Sequence, residues 1–199
     1  MGKTQRQIPA SLTTFLAPLQ GVQTLLDEFG GRGVIIGGIA ASLLGQPRLT
    51  ADVDAVILLE LDELPNLIQR ASALGIEPRI ADAQGFARSN RVLLLRHIES
   101  GIDIDFSLGL LPFENEMVQR SHPLLIGSLK LRLPTPEDLI ILKAVAHRPK
   151  DLLDIEAILA NQPTLDQGYI RNWVQQFAEA LEMPELWQDL QVRMKSSKK

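Results

Sequence analysis

The chain contains no cysteine and only three histidines. Disulfides, thiolate nucleophiles and cysteine-ligated zinc are therefore excluded. His97, His122 and His147 stand too far apart for ligand spacing of the His-x-x-x-His kind, so carboxylates are the metal ligands on offer. Aromatic residues make up only 5% of the chain, and the core must be mostly aliphatic. No apolar run approaches the roughly 20 residues needed to cross a bilayer, and the opening MGKTQRQIPAS lacks the apolar region of a secretory signal. The expected location is the cytoplasm, with no membrane partner. An excess of positive charge is also missing: 20 Lys and Arg stand against 24 Asp and Glu, a net charge of -4. That balance argues against holding long nucleic acid by phosphate neutralisation, which needs many cations on one face. The basic tail Lys195-Ser196-Ser197-Lys198-Lys199 reads as a solvated terminus.

With 199 residues, 45% of them hydrophobic, the chain is long enough to bury a substantial core. Its pattern changes near Pro134, which divides an α/β core with a leading helix (residues 1–133) from a helical C-terminal subdomain (residues 134–199). Apolar positions at helical spacing from Leu12 to Phe29, followed by Gly30-Gly31, predict the leading helix. Val34-Ile35-Ile36 predicts a strand that ends at Gly37-Gly38, with a short helix from Ile39 to Leu44 behind it. A strand from Asp52 to Leu59 and a helix from Asp62 to Leu74 come next. Arg91–His97 and Ile102–Leu108 read as two strands of a hairpin, and 124–126 and 129–133 as short edge strands. In Pro134-Thr135-Pro136-Glu137-Asp138 the threonine is placed to cap a helix that runs to about His147. A helix from Pro149 to about Ala160 and two more near 167–181 and 184–194 complete the C-terminal part.

The residues able to do chemistry cluster around one strand. Arg48, Thr50, Asp52 and Asp54 fall at every second position, so an extended backbone turns all four to one face. Two carboxylates at i and i+2 repel each other and are hard to bury without a counter-charge. A hard divalent cation, Mg²⁺ or Mn²⁺, is the natural partner, since it takes carboxylate oxygens together with substrate phosphates. A second alternating pair, Asp103 and Asp105, lies in Gly101-Ile102-Asp103-Ile104-Asp105-Phe106. If that strand packs beside the first, a third carboxylate joins the cluster, and three converging carboxylates can hold two metal ions for a phosphoryl-type transfer. The glycine pair Gly37-Gly38 allows a close backbone approach to a phosphate, and the helix start behind it offers free N–H groups.

Ile36-Gly37-Gly38, thirteen intervening residues and then Asp52-Val53-Asp54-Ala55 resemble the signature of the nucleotidyltransferase superfamily, which includes DNA polymerase beta, the aminoglycoside and lincosamide nucleotidyltransferases and the minimal nucleotidyltransferases. The spacing Arg48-x-Thr50-x-Asp52-x-Asp54 is closer still to the AbiEii-type toxin nucleotidyltransferases and related bacterial proteins. The resemblance covers about residues 33–160. It implies an α+β fold, a small mixed β-sheet core flanked by helices with a C-terminal helical part, and a nucleoside triphosphate as substrate. It further implies metal ligation by Asp52, Asp54 and a third carboxylate, Asp105 or else Asp103, and nucleotide contact by Gly37 and Gly38.

AbiEii-like proteins carry a lysine and a following aspartate on consecutive helices, positions matched here by Lys143 and by Asp151 or Asp154. Lys143 would meet the triphosphate as a point charge, or else lie on a solvated helix face. Asp151 also suits a helix first turn on electrostatic grounds alone. Arg48 would steer the triphosphate or neutralise the aspartates, and Thr50 would join it or serve the backbone. The implied reaction moves a nucleoside monophosphate to a hydroxyl of a protein, an RNA such as tRNA, or a small molecule. The alternative is a non-catalytic binding protein of the same fold, a toxin–antitoxin partner or regulator; an antitoxin is one partner that the resemblance implies.

Overall fold

The computed structural model describes residues 9–196. Residues 1–8 and 197–199 lie outside that range, and with them most of the N-terminal stretch and the end of the basic tail. Two compact units divide the chain: one holds the stretch ending at Ile39 together with Arg48–Leu133, the other Ala40–Pro47 and the chain from Pro134 onward.

In the first unit a 3-10 turn, Ala10–Phe15, leads into α1 (Leu16–Glu28). The predicted leading helix is thus tightened in its first turns, and Gly30 and Gly31, both at positive φ, end it. Then come β1 (Gly33–Ile35), α2 (Gly37–Leu44), β2 (Asp52–Ile57), α3 (Leu64–Ala73), β3 (Ile76–Pro78), α4 (Ala83–Asn90), β4 (Val92–His97) and β5 (Ile102–Leu108). The strands form a five-stranded sheet in the order β1-β2-β5-β4-β3, mixed because β2 and β5 run parallel while every other neighbouring pair is antiparallel. Alternation along β2 and β5 sends Val53, Ala55, Ile57, Ile104, Phe106 and Leu108 into the core, all of them buried. The intervening aspartates keep partial exposure. Where the chain needs β1 close to β2, Gly33 permits it: a methyl group there would strike the Val56 carbonyl oxygen and the Leu26 side chain.

After α5 (Pro112–Arg120) come β6 (His122–Ile126) and β7 (Leu129–Leu133). The sequence predicts edge strands here, but the two pair with each other in a separate two-stranded sheet. The tight turn between them, with Gly127 at φ 57°, folds the segment back on itself. The hairpin is tied to α1 instead, through the Arg132 N–H that donates to Gln23 Oε1 at 2.7 Å. β3, α4 and α5 carry no long hydrophobic period. α4 starts from Asp82, whose carboxylate accepts from Gly85 N–H at 2.9 Å, and the start of α5 is capped by Glu114 of its first turn, which reaches back to accept from the N–H groups of Leu110 and Leu111.

The second unit is helical: α6 (Pro136–Ala146), α7 (Pro149–Asn161), α8 (Gln167–Ala180) and α9 (Glu185–Ser196). The short segment Ala40–Pro47, which carries most of α2 and the turn after it, belongs with these helices. Gly45 lies against the backbone of Ala157 and Ile158, and the Gln162 side-chain amide donates to the Leu44 carbonyl at 3.0 Å. Thr135 caps α6 as the sequence predicts, accepting from Asp138 N–H at 3.1 Å. No described helix is long and apolar enough to cross a membrane.

Candidate active site

The parallel pairing of β2 with β5 is what gathers the acidic residues. Its register sets Asp52 beside Asp103 and Asp54 beside Asp105, so both alternating pairs occupy one face of the sheet. Both candidates for the third carboxylate are therefore on the same face as the first pair, and Asp105 is the one level with Asp54. β4 contributes from the other side of β5: Arg96 stands level with Asp103 and its Nε donates to Asp103 Oδ1 at 2.7 Å.

The glycine pair meets this face directly. Gly37 sits at φ 64°, and a side chain there would collide with the Asp54 carboxylate; one on Gly38 would collide with the Thr50 hydroxyl and come within 3.4 Å of the Arg48 guanidinium. The two glycines thus let the start of α2 settle onto β2, with the Ile36 N–H donating to the Asp54 carbonyl at 2.8 Å. β2 itself begins only at Asp52, so Arg48 and Thr50 lie in the irregular approach to it. They still arrive at the same place. The Thr50 hydroxyl donates to Asp52 Oδ1 at 3.2 Å, and Arg48 donates to the Leu49 carbonyl at 2.9 Å.

Two side chains of this face, Arg96 and Arg79, have no counterpart among the residues that the sequence pattern singles out. Arg79 comes directly after the three-residue strand β3, and its backbone N–H donates to the Leu94 carbonyl at 3.1 Å. Its guanidinium spans two aspartates, Nη1 to Asp103 Oδ2 at 2.7 Å and Nη2 to Asp105 Oδ1 at 2.8 Å. The two carboxyls respond differently. The hydrogen bond from Arg96, with help from Arg79, holds Asp103 below the usual carboxylate range. Burial pushes Asp105 above it; Arg79 pulls the other way, and the charges of Asp52 and Asp103 add to the rise. Four aspartates stand against three arginines, Arg48, Arg79 and Arg96, so negative charge is in excess here. Among the described residues no group of three His, Asp or Glu is drawn together tightly enough to form a ready-made metal cage.

Lys143 and Asp154 belong to the second unit, where they meet each other. Lys143 Nζ lies 2.9 Å from Asp151 Oδ1 and 2.9 Å from Asp154 Oδ2, and all three side chains are buried. Arg148 adds a two-point contact to Asp151, Nε to Oδ2 at 2.5 Å and Nη2 to Oδ1 at 3.2 Å. Burial alone would raise the Asp151 carboxyl, but the combined hydrogen bonds and charges of Arg148 and Lys143 outweigh it and hold the group below its ordinary value. Lys143 is not on a solvated face; it is buried on α6, and its ammonium ties that helix to the carboxylates of α7.

Solved structures share this fold. The chain aligns with an antigenic nucleotidyltransferase-like protein from Paracoccidioides brasiliensis at 17% identity and a TM-score of 0.51, covering 93% of this chain and 94% of that one. It aligns with the antibiotic-resistance factor ANT(2'')-Ia at 17% identity and a TM-score of 0.57, over 86% of this chain and 96% of that one. No curated protein sequence matches. A family profile spans residues 12–175, from the leading helix through the carboxylate face and into α8. The chain belongs to the nucleotidyltransferase superfamily, in the family described as nucleotidyltransferase of unknown function (DUF6036).

Proposed function

We propose that the carboxylate face of β2 and β5 is the centre of a metal-dependent nucleotidyl transfer, from a nucleoside triphosphate to a hydroxyl on a protein, an RNA or a small molecule. The observation that carries this reading is the register: it sets Asp54 level with Asp105 and Asp52 level with Asp103, directly under the start of α2. The donor set is all oxygen, and the Asp105 carboxyl is raised by burial and by its acidic neighbours. Both features suit a hard divalent cation such as Mg²⁺ or Mn²⁺. Asp52, Asp54 and Asp105 would hold it. When bound, such a cation supplies a lowered pKa for the attacking hydroxyl and charge stabilisation for the departing pyrophosphate.

The protein's own part is placement. The Gly37-Gly38 start of α2 brings backbone N–H groups and the positive end of a helix beside Asp54, where an incoming phosphate would be met. Arg48 stands next to Gly38 and supplies a fixed positive charge for the triphosphate, while Thr50 orients Asp52 through its hydroxyl. Asp103, engaged by two arginines, acts as their anchor and leaves ligation to Asp105. Lys143 and Asp154 enter this reading through the family resemblance. A phosphate contact by Lys143 would compete with the two carboxylates that already hold its ammonium.

Equilibrium binding of a labelled nucleoside triphosphate, with and without Mg²⁺, tests the assignment. The wild type should bind in a Mg²⁺-dependent way and Asp52→Ala/Asp54→Ala should not. Unchanged, metal-dependent binding by the double variant would refute the site. Incubation with each labelled triphosphate and separated protein, RNA and small-molecule fractions then identifies the class of acceptor.

A further inference from the structure

Arg79 does for Asp105 what a bound cation would do. Its guanidinium bridges Asp103 and Asp105 at 2.7 and 2.8 Å, and its side chain is 22% exposed, so the contact is shielded from solvent without being sealed. The two aspartates are not equally dependent on it. Asp103 keeps Arg96 as a second partner at 2.7 Å. Asp105 is the carboxylate level with Asp54, and its ion pair on this face is the one with Arg79 at 2.8 Å. Arg79 also sits at the margin of the sheet, past the end of the three-residue β3, held to β4 by one backbone hydrogen bond. A side chain anchored at one end by Asp103 can swing off Asp105 without giving up its remaining ion pair.

We propose that Arg79 is a resident counter-ion that competes with the divalent cation for Asp105, so that loading the site requires its guanidinium to leave that carboxylate. This rests on the carboxylate face being a cation site, the reading proposed for the protein's function. In the unloaded protein Arg79 relieves the repulsion between neighbouring aspartates. Once displaced, it remains beside the site as a positive charge tethered to Asp103. Cation affinity is thereby set below what the three carboxylates alone would give.

Mn²⁺ titration without nucleotide, followed by calorimetry or by the electron paramagnetic resonance of the free ion, reads this directly. Arg79→Gln should bind Mn²⁺ about fivefold more tightly than the wild type, the gain expected from removing a partly exposed competing ion pair. Its melting temperature should be lower in EDTA and should rise more on adding Mn²⁺. Arg79→Lys, whose ammonium cannot span both carboxylates as the guanidinium does, should fall between the two. It decides the matter if the glutamine variant does not fold. Affinity equal to or weaker than the wild type in these variants overturns the proposal, because Arg79 would then be positioning Asp105 and not competing for it. The site reading fails separately: if neither wild type nor Arg79→Gln binds Mn²⁺, or if Asp52→Ala/Asp54→Ala binds it as the wild type does, the carboxylate assignment falls and this inference with it.

Discussion

Gly37 and Asp151 illustrate how single residues fix the two units from within. At Gly37 the backbone is left-handed and the space a side chain would need is taken by the Asp54 carboxylate. Gly37→Ala should cost about 1–3 kcal/mol from the backbone conformation alone and should also push Asp54 out of place. Thermal unfolding and triphosphate binding should therefore both deteriorate, the second by more than the lost stability explains. Asp151 is buried and receives both Lys143 and Arg148. Asp151→Asn leaves those cations short of a partner and should destabilise the protein by about 3 kcal/mol. Because the folded carboxyl lies below its unfolded value of about 3.9, its contribution is complete above that value and is lost as the pH falls through the folded one. Denaturant melts of wild type and variant should stay apart by a constant amount near neutrality and converge only in that acidic window.

Elements differ in how plainly they are written in the sequence. α6 is the clearest case, since Thr135, Pro136 and the acids after them specify a helix start by local chemistry alone, and Thr135 does accept from Asp138 N–H. Thr135→Ala should cost about 1–2 kcal/mol in chemical denaturation, towards the upper end because Asp138 loses the threonine hydroxyl at 2.6 Å as well. The other half of that site, the Tyr169 hydroxyl donating to Asp138 Oδ1 at 2.7 Å, comes from a helix 31 residues away and leaves no local signal. The same contrast holds at the candidate site. Asp52, Asp54, Asp103 and Asp105 are legible because alternation on a strand is a period-two pattern. Arg79 is not, because β3 is three residues long and the arginine lies just beyond it. The β6/β7 hairpin reads in the sequence as two edge strands because hydrophobic pattern identifies a strand but does not say which strand it pairs with.

At the scale of the molecule, the division near Pro134 is visible as a change of period, but the assignment of Ala40–Pro47 to the helical unit is not. That segment looks like an ordinary continuation of the strand, glycine turn and helix before it, and only its contacts with Ala157, Ile158 and Gln162 reveal where it belongs. A fragment ending at Leu133 lacks those partners. It should bind a hydrophobic dye and elute as aggregate in size-exclusion chromatography, whereas the full chain should do neither. The interleaving also bears on the order of events during synthesis. Chains emerge from the ribosome at ~5–20 residues per second, so Ala40–Pro47 must wait on the order of several seconds, while Arg48–Leu133 is made, before its partners in α7 exist. The nascent chain carries that helix end unaccompanied through the making of β2 to β5, the carboxylate-bearing strands among them, which makes the interval before α7 appears the stage at which a chaperone has most to protect.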